Sequence, residues 1–261
     1  MEQVLGIIEA NLDSFILMFI RVSTLLIASP IFGRKALPNI LKIGMCLMVT
    51  YAVFSANPAA SSVQYSGVIE FGLLCVKELL FGLVLGYVTT LFFSVVQTAG
   101  QIMDMQMGFG MVNVFDVNSN ISVPVSGNLF NAILLVVFFA VNGHLHLIRI
   151  LLATFSHIPP GQVALNPVIG LAALEVFALA FVLAASVAMP LIASGLLGEV
   201  ALGFIVRAIP QLNVFVVGIP LKIVLGLMML LIMIPVFVSF SDVLFERMFA
   251  SIDKMIAGLA P

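Results

Sequence analysis

Apolar residues dominate this chain in six long runs, at positions 12–32, 40–54, 68–99, 129–152, 168–197 and 214–240. A bilayer core of about 30 Å takes roughly 20 apolar residues in a helix, so the runs predict helices of membrane-protein length. Two stretches, 79–99 and 176–197, carry no charge over a spanning length. The others are interrupted by Arg21, Lys42, Glu70, Lys77, Glu78, Glu175 and Lys222, while His144, His146 and Arg149 end the fourth. An ionisable side chain in hydrocarbon costs at least about 2.5–3.5 kcal/mol on insertion scales, so these groups are expected to face protein, water or one another. Two runs also exceed a simple span; Pro190 and Gly195 are expected to punctuate the fifth and Gly198 to close it. Packing against other helices fits this pattern better than separate helices bathed in lipid.

The connections divide the runs. Residues 33–38 (GRKALP) form a short basic turn, and Arg34, Lys35 and Lys42 make the one clear positive cluster. The positive-inside rule places it in the cytoplasm and the N-terminus outside. Residues 55–66 and 157–166, rich in Pro, Asn, Ser or Gly, read as loops. The segment 100–128 is the longest connection. No fixed-period repeat is visible, but the last third forms a hairpin around Arg207-Ala-Ile-Pro-Gln-Leu-Asn213, which sets a boundary near residue 160, between 1–160 and 161–261.

Composition agrees: 62% of the 261 residues are hydrophobic and 8% charged, with mean hydropathy +1.27. Soluble domains lie near 45–50% and 25%. The net charge of −2 supplies no field for nucleic acid. The first fifteen residues contain Glu2, Glu9 and Asp13 but no basic residue before Arg21, and they lack a small-residue cleavage site. The expectation is an uncleaved integral or membrane-associated protein. Cys46 and Cys75 lie within apolar runs without CxxC or Cys/His spacing and read as reduced packing residues.

Two segments stand out. In 100-GQIMDMQMGFGMVNVFDVNSN-120, a helix continuing from the third run puts Gln97, Gln101, Asp104 and Gly108 on one face and Met103, Met107 and Met111 on a neighbouring one. Gly108-Phe109-Gly110 should dissolve that helix. Either this is a surface loop after a helix whose Met residues fill core gaps, or it lines or blocks a passage, since Met seals around varied shapes and uncharged polar groups release what they touch. In 199-EVALGFIVRAIPQLNVFVVGIPLK-222, Glu199 and Arg207 share a helix face and are open to pairing with partner subunits or within a buried network. Pro210 should stop the helix and Asn213 cap the next one. A solvated turn is the plainer reading.

Catalytic patterns are lacking. His144 and His146 point roughly 200° apart on a helix, which suits polar residues near a helix end better than a metal site. No HExxH, GxSxG or P-loop occurs, and Gly108-Phe109-Gly110 does not complete a dinucleotide motif. No enzyme, metal or cofactor is expected. A small-solute secondary transporter is the alternative from another class, but the half-repeats such folds often carry are not visible.

The pairing of 100-GQIMDMQMGFG-110 and Asp116 with the 199–222 segment resembles the FliR family of flagellar type III export-gate subunits, whose counterparts serve virulence injectisomes. The six runs, the Arg21…Pro30 opening and the Lys77-Glu78…Gly82…Gly86 helix extend the likeness over essentially the whole chain. The resemblance implies an all-α fold of long hydrophobic hairpins, a FliP-like part followed by a FliQ-like hairpin. It implies a closed gate built with FliP-like and FliQ-like subunits in the bacterial inner membrane at the flagellar basal body, much of it held above the membrane plane. FlhB-like and FlhA-like export proteins are the further partners, and unfolded flagellar proteins the cargo. It also implies a pore plug at about 108–127, with Met107, Gly108, Phe109, Gly110, Met111, Phe115 and Asp116 in the passage and Gln101, Asp104 and Gln106 at its base. Arg21, Lys77, Glu78, Glu199, Arg207, Pro210, Gln211, Asn213 and Lys222 are the expected subunit-contact and network residues.

Overall fold

A computed structural model describes residues 12–34, 36–56, 63, 65–109, 124–211 and 213–260. All regular structure among them is helical: α1 (Leu12–Ala28), α2 (Asn39–Ala56), α3 (Val68–Met107), α4 (Val125–Ala140), α5 (Gly143–His157), α6 (Val168–Ala208) and α7 (Val214–Leu259). The all-α fold of long apolar helices is the one the hydrophobic runs imply. Among the described residues, four helices (α2, α3, α6 and α7) are long and apolar enough to cross a membrane.

Three boundaries differ from the sequence reading. The fourth run is two helices, because Asn142 adopts left-handed backbone (φ 56°) between α4 and α5. Asn tolerates that conformation better than most residues. The fifth run continues through Pro190, Gly195 and Gly198 to Ala208. The sixth passes Pro220 and Pro235 to reach Leu259. A proline removes one backbone donor, but in apolar surroundings every other rung of the ladder lacks water as an alternative, so the helix persists.

The chain divides into two compact units, each gathered from separated segments. The first draws on Met1–Leu91, Asn142–Phe177 and Glu246–Pro261. Its buried face on α1 reads Ser14, Leu17, Met18, Arg21, Val22, Leu25 and Leu26, the three-and-four spacing of a helix packed on one side. Here α3 crosses α1 at two glycines. A Cβ on Gly82 would lie 2.7 Å from the Thr24 Cβ and 2.8 Å from the Arg21 carbonyl oxygen, and one on Gly86 would overlap the Ala28 methyl. Small residues four apart bring the helix backbones together, and the Thr90 hydroxyl donates across to the Ala28 carbonyl at 2.9 Å.

The second unit comprises Phe92–Val141 and Ala178–Phe245. Its core is aromatic: Phe138 packs edge-on to Phe93 and Phe245 with centroids 5.6 and 5.2 Å away, and Phe130 lies 4.6 Å from Phe237. Offset and edge-to-face ring pairs are worth about 0.5–1.5 kcal/mol each beyond area burial.

Candidate functional site

The last turns of α3 carry the polar and Met stripes. The helix runs through to Met107 and ends at Gly108, whose φ of +84° suits glycine. The Gly108 N–H donates to the Met105 carbonyl at 3.2 Å, tightening the final turn. The helical break therefore falls where the glycine pattern put it. The next helix is already formed at Val125, so the connection is shorter than the 100–128 of the sequence reading. Gly110, Met111, Phe115 and Asp116 lie outside the described residues.

The polar stripe meets the first turn of α4. A Cβ on Gly100 would overlap the backbone of Gly127, and one on Gly127 would sit 3.0 Å from the Gln97 amide oxygen. The two backbones thus touch at paired glycines. Gln97 Nε2 donates to Asn128 Oδ1 at 3.4 Å. The Asp104 carboxylate, 7% exposed, accepts the Ser126 N–H through Oδ1 and Oδ2 at 3.2 and 3.4 Å. Pro124 occupies the N-cap of α4 without a side-chain bond of its own, so a carboxylate from another helix meets one of the orphan donors there. An anion at a helix N-terminus also complements the macrodipole. Glycine contact and carboxylate together tie both roots of the 108–124 connection. Gln101, on the same stripe by spacing, is exposed and takes no part in this crossing.

The Met stripe turns the other way. Met103 and Met107 are buried at 0% and 1%, whereas Met105 is 80% exposed. Met107 rests on Gly226 of α7, where a Cβ would lie 2.6 Å from its sulfur, and Gln106 rests on Gly195 of α6, 2.6 Å from such a Cβ to its Cγ. A small cavity beside them is lined by Ser194, Gly198, Lys222 and Leu225. On the hairpin, Lys222 Nζ donates to Glu199 Oε1 at 2.6 Å; the pair is 31% and 44% exposed. Glu199 therefore has its partner within the chain. Arg207, Pro210, Gln211 and Asn213 are exposed at the hairpin tip, and Phe109 is half-buried. Helix α6 ends at Ala208, two residues before Pro210, and the Asn213 carbonyl accepts the N–H groups of Val216 and Val217 as α7 begins.

In the first unit, Arg21 and Glu78 come together across 57 positions. Arg21 Nε and Nη2 donate to Glu78 Oε2 and Oε1 at 2.5 and 2.9 Å, and both side chains are fully buried. Arg21 Nη1 donates to the Ile158 carbonyl at 2.9 Å, and Glu78 Oε1 also accepts the Gly161 N–H at 2.7 Å. The rings of Phe81 and Phe155 flank the guanidinium at 4.4 and 4.5 Å from their centroids. A planar fork and two aromatic faces suit arginine rather than lysine. The pair pins the turn after α5, in which Gly161 has φ +83°. Lys77, the neighbour of Glu78, is half-buried.

Helical spacing points to Asp104 and Met107, charge within apolar runs to Arg21 and Glu78, and the resemblance to Gln106, but none of these gives Gly100, Gly127 or Gly226 as a contact, and Gly195 reads only as punctuation of its run. Their signal was small residues within apolar helices, which marks close approach without identifying the partner. Lys254 pairs with Glu175 at the surface. The Tyr65 hydroxyl donates to Asp13 at 2.8 Å, and that bond holds its pKa above the usual tyrosine value. Among the described residues no group of three His, Cys, Asp or Glu side chains could hold a metal. His146 packs edge-on to Phe249 at 4.3 Å.

The model of "Bacterial export proteins, family 1" matches residues 12–248. The chain is 33% identical over 241 residues to the flagellar biosynthetic protein FliR of Escherichia coli K12, covering 92% of this chain and 91% of that protein. It is likewise 33% identical over 222 residues to FliR of Bacillus subtilis 168, covering 84% and 85%. The Yop proteins translocation protein T of Yersinia pestis is 27% identical over 233 residues, 87% of each chain. The chain belongs to the bacterial export proteins of family 1, the family of the flagellar biosynthetic protein FliR.

Proposed function

We propose that this chain is a non-catalytic subunit of a bacterial flagellar type III protein-export gate. It joins FliP-like and FliQ-like subunits in the inner membrane at the basal body, where FlhB-like and FlhA-like proteins are its neighbours and unfolded flagellar proteins its cargo. Residues 1–160 form the FliP-like part and 161–261 the FliQ-like hairpin. The flagellar assignment rests on the 33% identity to the FliR proteins of Escherichia coli and Bacillus subtilis, against 27% to the Yersinia translocation protein.

In this reading the segment at about 108–127 is the plug. Gly108, Phe109, Gly110, Met111, Phe115 and Asp116 meet the passage, Met107 closes its root against Gly226, and Gln101, Asp104 and Gln106 stand at its base. One observation carries the reading: the roots of the segment are tied by the Gly100–Gly127 contact and the Asp104–Ser126 bond. A stretch that must seal a pore needs fixed roots. Because residues 125–127 already belong to α4, the test is replacement of 110–123 by a short Gly-Ser linker that leaves both anchors. The complex with the two small hydrophobic partners should still purify, while resting membranes become permeable to ions or small solutes. Membranes as tight as the parent's would sink the plug assignment, and purification without those partners would sink the gate assignment.

A further inference from the structure

We infer that the final turn of α3 is a releasable latch. Gln106 and Met107 sit in a two-glycine notch of the α6–α7 hairpin at rest, and they must leave it for export to proceed. The inference rests on the export-gate reading and adds the contact that holds the gate closed.

The notch is specific in shape. Gln106 and Met107 are adjacent in sequence, so they point about 100° apart on the helix. Each meets a glycine on a different helix of the hairpin, Gly195 on α6 and Gly226 on α7. A methyl at either glycine would occupy the volume these side chains fill. The end of α3 is therefore wedged between the two helices.

The same contact is poor in polar terms. Gln106 Nε2 is buried and has no hydrogen-bond partner among the described residues, and a cavity adjoins it. The gain from burying the Met107 side chain and the loss from stranding a buried amide donor are of similar size and opposite sign. A contact with that balance holds its place without being costly to leave. Met107 is unbranched and repacks readily. Gly108 follows immediately at φ +84°, and a Cβ there would meet nothing within 4 Å among the described residues, so the helix ends on a residue free to turn. Ordinary core packing seldom leaves a closely fitted side chain with an unsatisfied buried donor.

The test is a disulfide across the notch, made in the full chain and assayed in the assembled complex in native membranes. Cys46 and Cys75 are first changed to Ala, then Met107→Cys and Gly226→Cys are introduced together. Shortening residue 107 removes the atoms that a Cβ at 226 would strike, and the Met107 Cβ lies 3.1 Å from that Cβ, close enough to bridge after a small shift. Oxidation at rest should protect both thiols from maleimide. Export of a flagellar substrate should then fall at least about tenfold and recover on adding dithiothreitol. Free thiols in resting membranes would overturn the latch, as would full oxidation with unchanged export. Gln106→Leu provides a second arm that needs no cross-link. Removing the stranded donor tightens the seat, so export should slow about threefold or more with the complex at its normal level, and an unchanged rate again overturns the proposal. A resting leak after replacement of 110–123, combined with export indifferent to the disulfide, keeps the plug and discards the latch.

Discussion

Replacing Glu78 by Ala isolates the consequence of a buried charge losing its partner. Arg21 and Glu78 are fully buried, so the substitution leaves a guanidinium among Phe81, Phe155 and the Ile158 carbonyl. It also strands the Gly161 N–H, which now donates to Glu78 at 2.7 Å. Removing one member of a buried pair costs about 3–5 kcal/mol. At roughly 2–4 °C per kcal/mol for a unit of 150–250 residues, the thermal midpoint should fall by about 10 °C. The purified complex, followed by intrinsic tyrosine fluorescence on heating, gives the number, and the level of tagged chain in membranes provides a second readout. Two controls fix the interpretation. Glu199→Gln breaks a pair that is 31% and 44% exposed, so it should cost less than about 1 kcal/mol. The double change Arg21→Met with Glu78→Leu replaces charge by apolar volume and should recover the part of the loss that comes from the unpaired guanidinium, with the Gly161 N–H and the Ile158 carbonyl still unpaired. If Glu78→Ala melts no lower than Glu199→Gln, burial is not what makes this pair matter and the reasoning fails.

Two further outcomes concern the anchored roots. Gly100→Val forces a side chain into the Gly127 backbone, so recovery of the assembled complex should drop severalfold, whereas Gly44→Ala, whose Cβ would meet nothing within 4 Å among the described residues, should leave recovery unchanged. Asp104→Asn keeps an acceptor for the Ser126 N–H but removes the charge facing the α4 N-terminus; exchange of that amide with deuterium should accelerate about two- to fivefold, the equivalent of about 0.3–1 kcal/mol.

Much of this arrangement is legible in the sequence, for a physical reason in each case. The extension of α3 to Met107 followed from helical spacing of Gln97, Asp104 and the Met residues, and its end from the glycine pair. Arg21 and Glu78 were marked as network residues because charge in an apolar run needs a partner. Their pairing with one another was not legible, since 57 positions separate them and helix periodicity is local. Gln101 shows the same limit from the other side. It shares the stripe of Asp104 yet is exposed, because spacing selects a face but not how far the neighbouring helix reaches along it. The sequence reading put too much weight on local breakers at Pro190, Gly195 and Gly198. A helix in apolar surroundings keeps its ladder for want of any other hydrogen-bond partner. It put too little weight on Asn142, a single left-handed residue that divides an otherwise uninterrupted apolar run.

The 40, 41 and 46 residues of α3, α6 and α7 amount at 1.5 Å per residue to about 60–70 Å of helix each, twice the hydrocarbon thickness. A bilayer hides at most half of each. Apolar side chains nevertheless remain exposed along most of their length, from Val68, Ile69 and Leu73 through Leu197 and Phe204 to Val236 and Val243. A newly made copy that has not met its neighbours therefore displays the kind of surface by which quality-control proteases recognise orphan subunits. As a subunit of the export complex proposed above, it has a lifetime in the cell set by how soon other chains cover it, and an abundance tied to the synthesis of those chains.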